Sequence, residues 1–150
     1  MTGIRVRSEA FHDNDPIPHR YGRDGENISP GLQWSGIPDG TVELLLLCED
    51  PDAPHGPFLH WLVTGIDPAC TAVEPGNIPA GGRVWLNDFA ELGYGGPQPP
   101  VGDKPHRYFF RLFALTGPVR LPRHPTVADV HHAIRHIAHT SGTLVGRSQR

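Results

Sequence analysis

The chain has 150 residues, of which 37% are hydrophobic, and it carries a formal net charge of −3 at pH 7. A chain of this length is expected to fold as one domain, residues 1–150, around a single core. No basic stripe is present, which argues against nucleic acid as a partner. No apolar run approaches a membrane span and no signal-peptide pattern is seen, so we expect a cytoplasmic protein with at most peripheral membrane contact.

Proline and glycine are frequent, with 17 and 18 residues, and they are distributed along the whole chain instead of forming one block. This distribution is typical of a loop-rich β protein and not of disorder. The two cysteines, Cys48 and Cys70, lie far apart without a Cys-x-x-Cys spacing. We therefore expect both thiols to be free.

Short apolar or alternating segments bounded by turn residues predict a series of strands. In chain order they are residues 4–11, 32–35, 42–48, 61–66, 84–86 and 108–115. Residues 12–30 and 67–82 are rich in turn formers and are predicted to be loops.

One helix is predicted near the end of the chain. It begins at the N-cap Thr126, has apolar residues at helical spacing from Val127 to Ile137, and ends before Gly142. Three histidines follow on one predicted face: His132, His136 and His139. Because no carboxylate or cysteine accompanies them, we interpret them as a solvated face and predict no metal site.

The segment from Glu49 to Trp61 joins the two strongest strand signals and carries carboxylates, imidazoles and three prolines. Proline restricts the backbone, so we expect a stiff loop that holds Asp50, Asp52 and His60 at the mouth of a pocket. The alternative is ordinary turn chemistry, in which the aspartates bond to their own backbone.

A second informative segment, residues 93–102, contains four glycines and three prolines. Exposed glycine N–H groups can form an anion-binding nest, although a plain surface turn is the more frequent meaning of such a loop. The loop leads directly to His106 and Tyr108 at the start of a predicted strand.

Taken together, these motifs resemble the phosphatidylethanolamine-binding protein family, and in particular its bacterial branch of Raf-kinase-inhibitor-like proteins. The likeness runs in order from about residue 8 to 146. The motifs that carry it are Gly25-Glu26-Asn27-Ile28-Ser29-Pro30, Asp50-Pro51-Asp52-Ala53-Pro54, His60-Trp61, Gly93-Tyr94-Gly95-Gly96-Pro97-Gln98-Pro99-Pro100, His106-Arg107-Tyr108 and Leu144-Val145-Gly146.

The resemblance implies a mainly β fold, a β-sandwich with short peripheral helices and one C-terminal helix, with a small anion pocket at one end. It implies a cis bond at Ala53-Pro54 and suggests another at Gly56-Pro57, and it makes a homodimer plausible. The pocket residues it implies are Asp50, His60, His106 and Tyr108, with Asp52, Gly96 and Pro100 beside them.

The chemistry of these residues agrees with an anion pocket. Imidazole and phenol groups donate hydrogen bonds to phosphate, sulfate or carboxylate oxygens. A carboxylate at Asp50 would fix the tautomer of an imidazole and favour its charged form, so anion affinity is expected to fall as pH rises through the histidine range.

We therefore predict a protein without a cofactor that binds a small anion or phosphate headgroup, from a phospholipid or a metabolite. The family analogy adds a possible role as regulator or inhibitor of a kinase or protease. The alternative is an enzyme that uses Asp50, His60, His106 and Tyr108 for acid–base chemistry such as dehydration or cyclisation. A third reading is a structural sandwich whose polar cluster satisfies itself.

Overall fold

The computed structural model describes residues 3–150, which form two antiparallel sheets, one α-helix and one short 3-10 helix at His19–Tyr21. The strands and the helix are β1 (Arg5–Arg7), β2 (Leu32–Ser35), β3 (Glu43–Asp50), β4 (Phe58–Ile66), β5 (Ala72–Val73), β6 (Arg83–Val84), β7 (His106–Leu115), α1 (Val127–Ile134) and β8 (Ala138–Ser148). The smaller sheet has the strand order β1-β2-β5, and the larger has the order β6-β4-β3-β7-β8.

The main core lies between the two sheets. Alternate residues of the larger sheet, such as Leu46, Trp61 and Phe110, pack together with Leu32 and Trp34 of the smaller sheet. Side chains alternate between the two faces of a strand, so each strand contributes about every second residue to the layer between the sheets. The expected mainly β sandwich is confirmed.

The second face of the larger sheet is covered by α1. Leu45, Leu47 and Leu62 of the sheet are buried together with Val130 and Ile134 of the helix. The central strand β3 is therefore covered on both sides, which explains why it contains four consecutive leucines instead of an alternating pattern.

The predicted first strand, residues 4–11, is much shorter in the structure. The chain leaves the sheet after Arg7, where the Ser8 hydroxyl donates to the carbonyl of Gly31 (2.6 Å) and accepts from the amide of Ala10 (3.0 Å). This side-chain bonding to the backbone competes with strand pairing. The predicted loop 67–82 also contains a two-residue strand, β5, which completes the smaller sheet.

The predicted helix starts where expected but ends early. Thr126 and Asp129 form a capping box, and the helix ends at Ile134. The prediction that Ile137 is helical and that Gly142 follows the helix was wrong, because the chain turns into the eleven-residue strand β8. The last element is therefore a strand, and the helix lies just before it.

The alternation of buried and exposed residues in β8 is hard to recognise in the sequence because glycines occupy buried positions. Its buried positions include Gly142 and Gly146, where a Cβ would lie 2.1 Å from the carbonyl oxygen of Ile4 and 2.4 Å from Cγ1 of Ile17. The N-terminal segment packs so closely on this strand that only glycine fits. An alternation of buried and exposed residues exists, but hydrophobicity does not reveal it.

The three histidines do not share a helix face. His132 lies on α1 and bonds to Arg135 (3.2 Å), His136 follows the helix, and His139 lies on β8 beside the hydroxyl of Thr41 (3.2 Å). Within residues 3–150 no group of three or more histidine, cysteine or acidic residues is arranged to hold a metal ion. Cys48 and Cys70 are both free thiols.

In that same part of the chain, no helix combines the length and the apolar character needed to cross a membrane.

Candidate functional site

A pocket of about 550 Å³ opens at the end of the larger sheet, where β3 ends and β4 and β7 begin. Its walls come from three separate segments of the chain. They are Asp50, Ala53, Pro54, His55, Gly56, Pro57, Phe58, His60, Asp88, Phe89, Gln98, Pro99, Pro100, His106 and Tyr108.

The sheet brings the polar residues together. β3 runs antiparallel to both of its neighbours, β4 and β7, so its last residue lies beside their first residues. Asp50 ends β3, and His106 and Tyr108 lie two apart at the start of β7, on the same face. The structure thus gathers Asp50, His60, His106 and Tyr108, the four residues that the sequence grouped together.

His106 is held at both ring nitrogens. Nδ1 lies 2.7 Å from Oδ2 of the buried Asp50, and Nε2 lies 3.1 Å from Oδ2 of Asp103. Burial alone would lower the pKa of His106, but the hydrogen bonds to the two carboxylates outweigh it and the pKa is raised. The expected tautomer-fixing role of Asp50 therefore has a matching contact at His106.

The pKa of His60 is shifted in the opposite direction to that of His106. Nδ1 of His60 lies 2.6 Å from the carbonyl oxygen of Gly95, so Nδ1 carries the proton and Nε2 presents a lone pair. Burial lowers the pKa of His60 to about 4. His60 is therefore neutral at pH 7, and the charged form expected of an imidazole beside Asp50 concerns His106 instead.

Tyr108 is fully buried, and its hydroxyl is the single buried side-chain polar atom in residues 3–150 without a hydrogen-bond partner. Burial and the carboxylate of Asp50 raise the pKa of Tyr108 well above its ordinary value, so the hydroxyl keeps its proton. Leaving such a group unpaired is costly. The reading of a self-satisfied structural cluster is therefore not supported.

Asp50 shows both features that were predicted as alternatives for this segment: it bonds to the backbone of its own turn, and it also presents a polar group at the pocket. The second oxygen of Asp50 accepts from the amide of Asp52 (2.8 Å), which is an Asx turn, while the first faces His106. Asp50 and His60 belong to β3 and β4, so the connecting loop contains only residues 51–57.

The predicted cis bonds at Ala53-Pro54 and Gly56-Pro57 were wrong, since both peptides are trans. The chain reverses through Gly56, whose φ is +105° and whose amide donates to the carbonyl of Ala53 (3.2 Å). A glycine with positive φ makes this turn without a cis peptide.

Two of the three residues expected beside the pocket lie outside its wall. Asp52 binds the guanidinium of Arg107 through both carboxylate oxygens (2.8 and 3.0 Å), and this pair lowers the pKa of Asp52. Gly96 donates its amide to Asn27 (2.7 Å). Pro100 does lie in the wall.

The proposed glycine nest is not available for an anion. The amides of Gly93, Gly95 and Gly96 already donate to Trp85, His60 and Asn27, respectively. Gly95 and Gly96 are instead required for close packing, since a Cβ would lie 2.5 Å from the Phe89 ring and 2.2 Å from the carbonyl oxygen of Tyr21, respectively.

Several wall residues were not predicted from the sequence. Phe89 packs edge-on and Phe58 packs at a tilt against the ring of His60, with centroids 5.5 and 4.7 Å away, and Asp88 accepts from the amide of Leu59 (2.7 Å). The turn residue Asp103 was overlooked although it stands three positions before His106, a spacing that permits contact.

The pocket wall thus contains no lysine or arginine, and the charge of His106 is balanced by carboxylates. Among the four grouped residues, the uncommitted donor is the Tyr108 hydroxyl, and Nε2 of His60 has no partner among residues 3–150. Their rings are neighbours, with centroids 5.1 Å apart. One small group can therefore contact both.

Comparison with known proteins gives a consistent result. The family model described as "Phosphatidylethanolamine-binding protein" matches residues 7–149. A UPF0098 protein of Methanothermobacter thermautotrophicus is 40% identical over 153 residues, covering 98% of this chain and 99% of the relative. A Mycobacterium tuberculosis protein named as a lipoprotein, LppC, is 39% identical over 143 residues, covering 95% of this chain and 71% of the relative.

Two crystal structures share the fold. Escherichia coli YbcL, described as a member of the mammalian PEBP family, superposes with a TM-score of 0.90 and 27% identity over 99% of each chain. The PEBP homologue CT736 of Chlamydia trachomatis gives 0.87 and 30% identity, covering 100% of this chain and 99% of the other.

Proposed function

Because the chain belongs to the phosphatidylethanolamine-binding protein family, we propose that its pocket binds a small oxyanion, with a phosphomonoester as the best-fitting class. The observation that carries this proposal is the buried, unpaired hydroxyl of Tyr108 next to the neutral ring of His60. A ligand that accepts a hydrogen bond from the Tyr108 hydroxyl and donates one to Nε2 of His60 satisfies the hydrogen-bonding capacity of both groups.

A monoprotonated phosphate has this combination of groups. One of its oxygens accepts a hydrogen bond, and another carries a proton that it can donate. The second pKa of a phosphomonoester is about 6, so the monoanion is abundant at mildly acidic pH and declines above it. Affinity is therefore expected to fall as pH rises, the direction that the sequence also predicts.

Sulfate provides the matched control ligand. It has the same shape as phosphate but carries no proton near neutral pH, so it cannot donate to His60. We expect phosphoethanolamine and inorganic phosphate to bind more tightly than sulfate by about tenfold at pH 6, the value of one hydrogen bond to a charged group. Isothermal titration calorimetry measures this ratio. Equal affinities would contradict the protonated ligand, and no binding of any oxyanion would contradict the proposed function.

The size of the pocket favours a headgroup over a whole lipid. A volume of about 550 Å³ is within the range of small-molecule sites, but two acyl chains would not fit inside it. The aromatic rings of Phe58 and Phe89 offer an apolar wall for the remainder of such a ligand.

An acid–base enzyme is less well supported. A catalytic acid or base works best with a pKa near the working pH. The pKa of His60 is about 4, and that of Tyr108 is raised far above neutrality. Both groups therefore suit hydrogen bonding to a ligand better than proton transfer.

A regulatory role toward a kinase or protease, a homodimer and a cytoplasmic location are proposals that rest on the family resemblance and on the sequence. Analytical ultracentrifugation tests the dimer. Cell fractionation tests the location. Because the relative LppC is named as a lipoprotein, recovery of the protein in the membrane fraction is the outcome that would contradict a cytoplasmic location.

A further inference from the structure

His106 has two carboxylate partners that differ sharply in their surroundings. Asp50 is buried, with 4% of its side chain exposed, and its second oxygen is tied to the backbone of Asp52. The side chain of Asp103 is 42% exposed, and its contact with Nε2 is longer. Asp50 is thus a permanent partner, whereas Asp103 can be replaced.

Asp103 lies in an exposed turn that makes few contacts with the rest of the protein. Its amide donates to the carbonyl of Pro100 (3.2 Å), and the intervening Val101 is 78% exposed. A Cβ at Gly102 would meet no atom within 4 Å. Two contacts with the end of the chain fasten the turn, namely Gly102 to Arg150 (3.1 Å) and Gln149 to Asp103 (3.2 Å). Moving the Asp103 side chain into water therefore disturbs no packed core.

We propose that Asp103 is an affinity-setting residue that competes with the ligand for the Nε2–H of His106. This inference rests on the proposed function, because it concerns the same oxyanion. Asp103 does not form part of the pocket wall, whereas the ring of His106 and Pro100 do. When the carboxylate moves away, the N–H of a charged imidazolium becomes a donor to a ligand in the pocket.

The competition follows from charge. A carboxylate and a phosphate oxygen are both acceptors that bond strongly to an imidazolium, and only one of them can occupy Nε2–H. The ligand must also approach a second negative group if Asp103 stays in place, which repels it. Asp103 therefore weakens oxyanion binding.

The test uses inorganic phosphate at pH 7, measured by isothermal titration calorimetry. The proteins are the full chain, Asp103→Ala, Asp103→Asn and the control Asp39→Asn, which removes the same charge from an exposed position outside the pocket wall. We expect Asp103→Ala to bind phosphate about tenfold more tightly, Asp103→Asn to lie between, and Asp39→Asn to match the unaltered chain.

A thermal unfolding curve separates competition from a structural role. The loss of the Asp103–His106 contact should lower the melting temperature of Asp103→Ala even as phosphate affinity increases, and Asp103→Asn keeps the shape of the side chain if the alanine variant folds poorly. Phosphate binding that is unchanged or weaker in both variants overturns the inference while leaving the proposed function intact. Binding by none of the proteins overturns both.

Discussion

We propose that the Tyr108 hydroxyl is left unpaired for a ligand, at a cost to the stability of the fold. This hydroxyl is buried without a partner, whereas the hydroxyl of the partly buried Tyr94 donates to the carbonyl of Tyr21 (2.7 Å). Removing an unpaired buried hydroxyl is expected to be neutral or to stabilise the fold by up to about 1 kcal/mol, and removing a paired one to destabilise it by about 1 kcal/mol.

We therefore expect Tyr108→Phe to retain or gain stability and to lose phosphate affinity, and Tyr94→Phe to lose stability and retain affinity. Urea unfolding and calorimetry on the same samples measure the two effects. A Tyr108→Phe variant that unfolds more easily would show that the hydroxyl has a partner within the protein.

His60 makes stability depend on pH. Its pKa is about 4 in the folded protein but about 6.5 in an unfolded chain. Between these values the unfolded state binds more protons, so the free energy of unfolding falls as pH is lowered from about 6.5 toward 4, by about 3 kcal/mol in total. His106 acts oppositely, because its raised pKa contributes stability below about pH 6.5 that is lost as pH rises through the folded value.

The variant His60→Gln should flatten the dependence in the acidic window. Denaturant unfolding at pH 4.5, 5.5 and 6.5 for both proteins measures the difference in slope, which removes the contribution of the carboxylates common to both. Parallel slopes would mean that His60 takes up a proton in the folded protein.

The sequence identified the four grouped residues but not their charge states. Asp50, His106 and Tyr108 follow from the ends of recognisable strands and from motifs in order. The neutral form of His60 depends on burial, to which Phe58 and Phe89 contribute, and its tautomer depends on the carbonyl of Gly95, and no local pattern reveals either contact. The family motifs therefore predict which residues lie close together, whereas tertiary packing determines their protonation states and hydrogen-bonding roles.

At the scale of elements, β8 depends on its glycines. A Cβ at Gly142 would lie 2.1 Å from the carbonyl oxygen of Ile4, and backbone cannot move aside as a flexible side chain does. We expect Gly142→Ala to destabilise the protein by about 1–3 kcal/mol or more, as overpacking does.

Gly117→Ala is the matched control, since a Cβ there meets no atom within 4 Å. Thermal unfolding of the two variants measures the contrast. Similar melting temperatures would indicate that the N-terminal segment does not pack on β8 as closely as described.

The elements also show why prediction succeeds and fails. β2 was predicted to the residue, and β3 and β7 nearly so, because their apolar runs reflect burial. β8 was missed because its inward positions include glycines, and the helix was extended because Ile137 fits its period although the chain turns after Ile134. In both places a tertiary contact overrides the local signal.

At the scale of the whole molecule, ligand binding should be visible as stability. An oxyanion that binds only the folded chain at a hundred times its dissociation constant adds about 2.7 kcal/mol. For a chain of this size that corresponds to a rise in melting temperature of about 5–10 °C.

We expect this rise with phosphate for the unaltered protein and a smaller one for Tyr108→Phe at the same phosphate concentration. Differential scanning fluorimetry measures both. An equal rise in the two proteins would indicate that phosphate acts elsewhere on the surface or through general salt effects.

The antiparallel pairing of β3 with β7 has a consequence for synthesis in the cell. Asp50 and His106 are 56 residues apart, and β3 has its complete set of neighbours only after β7 has left the ribosome. At roughly 5–20 residues per second, this interval lasts roughly 3–11 s. During that time β3 lacks one strand neighbour, and α1, which covers Leu45 and Leu47, has not yet been made, so we expect the half-made chain to be a client for chaperones that bind extended apolar segments.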